Sequence, residues 1–183
     1  MVLGTTTAVG SLVDKQGWSA EAVVIAAAGV SMAVGLWWAY FAVPFADLLH
    51  QQRERCFRFG FGHVPIFAAV AAIGAGLHVA ASFIEGEAKV GETTVVLAIA
   101  VPLAAFFAVL LFLYWLCTGS FDGLHAAMLG GAVVVIGAAV AMASYGVGIG
   151  WCIAVLMLAP WVFVLAYEWR GHEHIARDLR TRG

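Results

Sequence analysis

The feature that most constrains this chain is a succession of long apolar stretches, 21–44, 63–84, 93–116, 124–144 and 151–168, with almost no charged side chain inside them. Crossing about 30 Å of hydrocarbon takes about 20 residues of helix, and every stretch has that reach. A soluble domain is about 25% charged. Here Asp, Glu, Lys and Arg make up 11% of the chain against 63% hydrophobic residues, and the mean hydropathy is +0.97. No single soluble core hides that much apolar surface in 183 residues. The expected fold is all-α: a polytopic integral membrane helix bundle of five transmembrane helices, one domain over 1–183. Residues 1–13, MVLGTTTAVGSLV, add a short apolar N-terminal stub. It is too short to span, lacks the basic start and cleavage site of a signal peptide, and reads as the end of a helix.

Local chemistry places the boundaries. Ser19 is a natural N-cap for the first span. Trp37, Trp38, Tyr40 and Phe41 mark its exit, because a ring that carries an NH or OH settles at the headgroup level. A polar loop with Arg53, Arg55 and Arg58 follows, and Phe45, Leu48 and Leu49 within 45–62 have the spacing of a short interfacial helix. His63 opens the second span with Pro65 in its first turn, Pro102 predicts a kink in the third, and Pro160 sits in the fifth. Gly130, Gly131 and Gly137 give the fourth a surface that lets backbones approach closely, and YGVGIGW turns the chain straight back. Arginines stay on the cytoplasmic side of bacterial-type membranes. Arg53, Arg55 and Arg58 share a side with the tail arginines, Arg170, Arg177, Arg180 and Arg182, whereas only Lys15 and Lys89 fall opposite. The expectation is a plasma-membrane protein with its N-terminus outside and its C-terminus, residues 169–183, cytoplasmic.

Few side chains inside the spans can carry chemistry. His78 is the ionisable residue deepest in a span, and an intramembrane ionisable group is a functional candidate by default. Its bland counterpart is a histidine hydrogen-bonded to a neighbouring helix. His63 lies on the same helix, about 60° round and about 22 Å along, so the two could face one cavity but could not share a ligand. His125 reads as a cap or a side chain reaching for the interface. Arg53, Arg55, Arg58, Arg170 and Arg177 read as contacts to lipid headgroups. In His172-Glu173-His174 the two histidines do not point to one side of a helix, so no metal site is read there. Cys56, Cys117 and Cys152 have neither zinc nor disulfide spacing. No phosphate loop, serine elbow or HExxH appears, so the chain reads as a non-enzyme with no catalytic residues, metal or cofactor. A formal net charge of -2 points to no nucleic-acid partner.

Val2, Leu3 and Gly4 before a small polar run, LWWAYF at Leu36–Phe41, Gly62 with His63, and Ala75, Gly76 and Leu77 together carry a resemblance. On these residues the first 116 or so positions resemble the C-terminal half of the bacterial low temperature requirement protein A (LtrA) family of multi-pass membrane proteins, with the last two helices alike in hydropathy only. Family members carry acidic residues where this chain has Thr5, Ala42 and His78. The resemblance implies that any cation or proton site built from those acids is largely lost here. Family members are also about twice as long, which makes this chain resemble a half-protein. The family brings no settled activity, and its name records a cold-growth phenotype.

The leading functional expectation is therefore an LtrA-like membrane protein with a stress-linked transport or sensing role, centred on His78, His63 and the aromatic edge of Trp37, Trp38 and Tyr40. The alternative is a non-catalytic structural or interaction subunit packing against another membrane chain. The expected partners are the lipid bilayer and either further copies of the chain or a second membrane subunit.

Overall fold

A computed structural model describes residues 2–17, 19–50, 53–119, 121 and 123–171. The described residues form helices α1 (Val2–Gln16), α2 (Ala20–Phe41), α3 (Phe45–His50), α4 (Cys56–Ile84), α5 (Glu92–Thr118), α6 (Gly123–Ser144), α7 (Ile149–Leu156) and α8 (Ala159–Ala166). A 3₁₀ turn, Arg53–Arg55, precedes α4, and a π turn, Tyr167–Gly171, follows α8. Five segments are long and apolar enough to cross a membrane: Ala22–Phe41, Cys56–Ile84, Glu92–Thr118, Gly123–Ser144 and Ile149–Trp169. Helix α1, at 15 residues, is about 22 Å long and falls short of the hydrocarbon. Neighbours run α1, α4, α5, α6, the α7–α8 pair and α2, and α2 returns to α1 to close the bundle.

The start of α2 follows the sequence: Ser19 Oγ accepts the Ala22 N–H at 3.2 Å. A short helix does follow the first span: it is α3, with Phe45 and Leu48 buried against the bundle. At the far end of α5, Gly119 takes a left-handed φ of 66° and its N–H closes on Trp115 O at 2.6 Å, an arrangement that favours glycine. Two boundaries differ from the sequence expectation. Helix α4 begins at Cys56, so Pro65 lies in the helix interior and not in its first turn. The aromatic and arginine residues from 56 to 62 have helix-compatible side chains, and hydropathy alone cannot see a helix that protrudes from the apolar layer. Second, the fifth span is two helices. Pro160 has no N–H, and its ring would meet the carbonyl four residues back, which is Leu156, where α7 stops. Helix α5 runs from Glu92 to Thr118 with Pro102 inside it.

At two glycines the helix backbones meet directly, whereas on α6 a Cβ at Gly130 or Gly137 would meet nothing within 4 Å. A Cβ on Gly4 of α1 would lie 2.7 Å from Gly74 O of α4, and one on Gly76 of α4 would lie 2.6 Å from Ala98 O of α5. Pro102 explains the second approach. It removes the N–H that would bond Ala98 O, so the freed carbonyl faces the one residue type that can bring a Cα–H against it.

Between α5 and α8 the core is aromatic. Phe107 and Phe163 stack at 4.3 Å with 13° between their planes, both buried, with Phe106 edge-on to Phe107 at 5.6 Å. In water, Phe→Ala in a core costs about 3–5 kcal/mol, a transfer part plus a cavity part. In a bilayer the ring of a separated helix stays in hydrocarbon, so the transfer part vanishes and packing remains. Phe107→Ala is therefore expected to destabilise the bundle by about 2 kcal/mol, measured by denaturation in detergent. Phe112→Ala, at a ring 53% exposed, should stay within about 0.5 kcal/mol. Equal losses would remove the stacking account.

Candidate functional site

Helix α2 presents Ala33, Trp37, Tyr40 and Phe41 on one stripe, and α4 presents Phe59, His63 and Phe67 at spacings of four on another. The α2 stripe and His63 and Phe67 of the α4 stripe, with Leu3 of α1 and Phe106 of α5, line a half-open groove of about 650 Å³. Trp37 and Phe41 form its rim, 61% and 64% exposed and 5.4 Å apart between ring centres. Phe67, 68% exposed, forms the facing edge.

Among the described residues a small polar cluster lies in this aromatic surface. The Tyr40 hydroxyl and His63 Nε2 are 2.6 Å apart, and His63 Nδ1 is 2.8 Å from the Phe59 carbonyl. A carbonyl only accepts, so Nδ1 carries the proton. In the neutral ring Nε2 then accepts, and the Tyr40 O–H donates to it. The phenol oxygen is left as an acceptor with its proton committed. Rings hold the pair in place: Phe59 is edge-on to His63 at 4.6 Å, and Phe45 lies 5.6 Å from Tyr40 and 5.0 Å from Phe59. The arrangement offers broad apolar walls and one hydrogen-bond acceptor, the usual make-up of a small-molecule site.

The sequence singled out Trp37, Tyr40 and His63, and the fold brings these three together. Trp38, one residue on from Trp37, faces the other way. Its Nε1–H donates to Glu168 Oε1 at 3.1 Å, and its ring meets Trp161 edge-on at 6.3 Å. Trp161 Nε1–H in turn donates to Ser31 Oγ at 2.9 Å, a clasp between α2 and α8. His78 is exposed on α4, does not line the groove, and has no hydrogen-bond partner among the described residues. His125 corrects the expectation of an interfacial cap: it is buried, stacked on Tyr114 at 4.1 Å and 29°. The first turn of α6 folds back over the last turns of α5 and lays the imidazole on the phenol. A cavity of about 20 Å³ lies beside them, lined also by Met128 and Tyr167. Arg55 is half-buried and donates to Leu116 O at 2.5 Å, and Arg58 is exposed. The side chains of Arg53 and Arg170, and all of Arg177 with the rest of 172–183, lie outside the described residues.

Phe59, which packs on His63, and Phe67 and Phe106, which line the groove, were not singled out from the sequence. The signal for the first two was the spacing Phe59, His63, Phe67, which places them on the face of the histidine. Phe106 carries no local signal, since only the fold brings α5 to the groove. Among the described residues no three His, Cys, Asp or Glu side chains gather as a metal-holding group.

No curated protein and no solved structure matches the chain. A family model does, and it reaches well past the first 116 residues on which the sequence resemblance rests. It takes in the Gly4, Leu36–Phe41, Gly62–His63 and Gly76 positions that build the groove and the closest helix contacts. Matched by that model over residues 1–160, the chain belongs to the family of the bacterial low temperature requirement A protein (LtrA).

Proposed function

We propose that this LtrA-family chain is a non-enzymatic membrane protein that binds an amphiphile, in a sensing or carrier role, in the groove between α2 and α4. The observation that carries the reading is the Tyr40–His63 hydrogen bond, 2.6 Å long, inside an otherwise apolar groove. Because the phenol proton is committed to His63, the free chemistry of the pair is acceptor chemistry. The ligand is then a long apolar molecule with a donor at its head, such as a hydroxyl, and a head that only accepts is disfavoured. Trp37, Phe41 and Phe67 supply the walls. His78 has no part in this site. The arginine distribution supports placing the Arg55 and Arg58 end in the cytoplasm, the N-terminus outside, and the protein in the plasma membrane.

The test compares a brominated long-chain alcohol with its methyl ether, which has the same length and no donor. Quenching of Trp37 fluorescence, isolated by difference against Trp37→Phe, reports occupancy. The alcohol should bind about tenfold more tightly, the effect of one hydrogen bond of about 1.4 kcal/mol. Tyr40→Phe alone would hand the acceptor role to His63 Nε2, so the double variant Tyr40→Phe, His63→Leu should remove that preference, and His78→Ala should leave it intact. Equal affinity for the two probes in the unmodified protein would overturn the reading.

A further inference from the structure

A second groove, of about 540 Å³, opens on the other side of α4, where the arginine end of that helix meets the last turns of α5. It is lined by Arg55, Arg58, Phe61, Phe112, Trp115 and Gly119. We propose that this groove binds a phosphate ester, supplied in the membrane by the headgroup of an anionic phospholipid whose acyl chain lies against Phe61 and Phe112.

The charge at the site comes from its two guanidinium groups. The C-terminal end of α5 contributes about half a negative charge and the N-terminal end of α4 about half a positive one, and these nearly cancel. Two full positive charges remain. Arg55 is fixed by its bond to Leu116 O, which uses one of its five N–H donors and sets the guanidinium over the end of α5. Arg58, one turn on, is exposed. Among the described residues no carboxylate lines the groove and no ion pair joins either arginine to Glu54. A planar guanidinium matches a phosphate through two parallel hydrogen bonds, which a point charge cannot reproduce.

The apolar part selects a lipid over a soluble ester. Phe57, Phe61 and Val64 follow one face of α4 away from the arginines, 75%, 63% and 63% exposed. Phe112 and Trp115 of α5 run beside them, exposed and 5.9 Å apart between ring centres. Charge at one end and an apolar strip extending along the span is the polarity of a phospholipid in its own leaflet. Gly119, with no side chain, keeps the mouth of the groove open beside Trp115.

The test uses the full chain in phosphatidylcholine vesicles into which brominated phosphatidylglycerol or brominated phosphatidylcholine is titrated. Trp115 quenching is taken as the difference from Trp115→Phe. Phosphatidylglycerol should win by about tenfold, and Arg58→Gln should cut that preference about fivefold, the effect of one basic residue near the surface. Lys89→Gln removes the same charge in the loop between α4 and α5 and should leave the preference unchanged. Equal quenching by the two lipids, or equal loss in the two variants, would overturn the proposal. Glycerol phosphate at constant ionic strength should not displace the lipid. Displacement by it would overturn the lipid assignment in favour of a soluble phosphate ester.

Discussion

Replacing Gly76 by valine should break the bundle where a glycine comes closest to the backbone of a neighbouring helix. A Cβ there would sit 2.6 Å from Ala98 O, 2.8 Å from Ala98 C and 2.9 Å from Ile99 Cγ1. Two of the three are backbone atoms of α5 and have no rotamer through which to withdraw. The helices must therefore separate, and they are packed against each other along much of their length. Overpacking costs about 1–3 kcal/mol, and occasionally more. Here the separation also strands the Ala98 carbonyl that Pro102 has already deprived of its helical donor, at about 1 kcal/mol or above. A total of about 3 kcal/mol lowers the unfolding temperature by roughly 6–12 °C in a chain of this size. The control is Gly137→Val on α6, where a Cβ meets nothing within 4 Å. Thermal unfolding followed by size-exclusion chromatography in mild detergent distinguishes the two. Matched transitions would mean that the α4–α5 approach is not what glycine is needed for.

The same contact shows what a sequence can and cannot disclose in this kind of protein. The five spans, α3 and the Ser19 cap were legible because each depends on a local window: length and hydropathy for the spans, residue type for the cap. Which face of a span points inward was not legible. In water an amphipathic stripe marks the buried side, but a helix between lipid and protein is apolar all round, and its pattern no longer separates the two. His78 and His63 illustrate the loss. Both stand out in an apolar helix by polarity alone, yet one is exposed without a hydrogen bond to any described residue and the other is locked to Tyr40 across the α2–α4 contact. His125 was misplaced for a related reason, since burial against Tyr114 depends on α6 folding over α5. The break at Pro160 was within reach, because the carbonyl it blocks belongs to Leu156, but hydropathy runs through it unchanged.

Helix α4 thus serves two unlike surfaces. Its Phe59, His63 and Phe67 face shares an aromatic groove with α2, and its Phe57, Phe61 and Val64 face carries an apolar strip beneath Arg58. Positions 57 and 59 are about 200° apart around a helix, so the two surfaces lie on opposite sides of one rod. A ligand in the first groove and a lipid in the second do not compete for space.

Val134→Asp carries the largest expected penalty of any surface substitution, and it decides whether lipid or water is the medium outside the bundle. Val134 is 70% exposed and lies midway along α6. If water bathed this face, an exposed valine-to-aspartate change would stay within about 0.5 kcal/mol. At the centre of a membrane helix the same carboxylate costs about 2.5–3.5 kcal/mol, on the order of a hundredfold in an insertion equilibrium. Tyr145, 88% exposed in the turn after α6, separates depth from exposure. Tyr145→Asp places the charge at the end of the helix, where it meets the headgroup region and water, and should cost less than about 0.5 kcal/mol. Membrane-integrated, folded protein recovered from matched expression cultures should fall steeply for Val134→Asp and hold for Tyr145→Asp. Equal recovery of the two would place water on the outward face of α6. The exposed apolar side chains of the other spans, Val30, Val101 and Phe67 among them, would then need a protein partner in place of lipid.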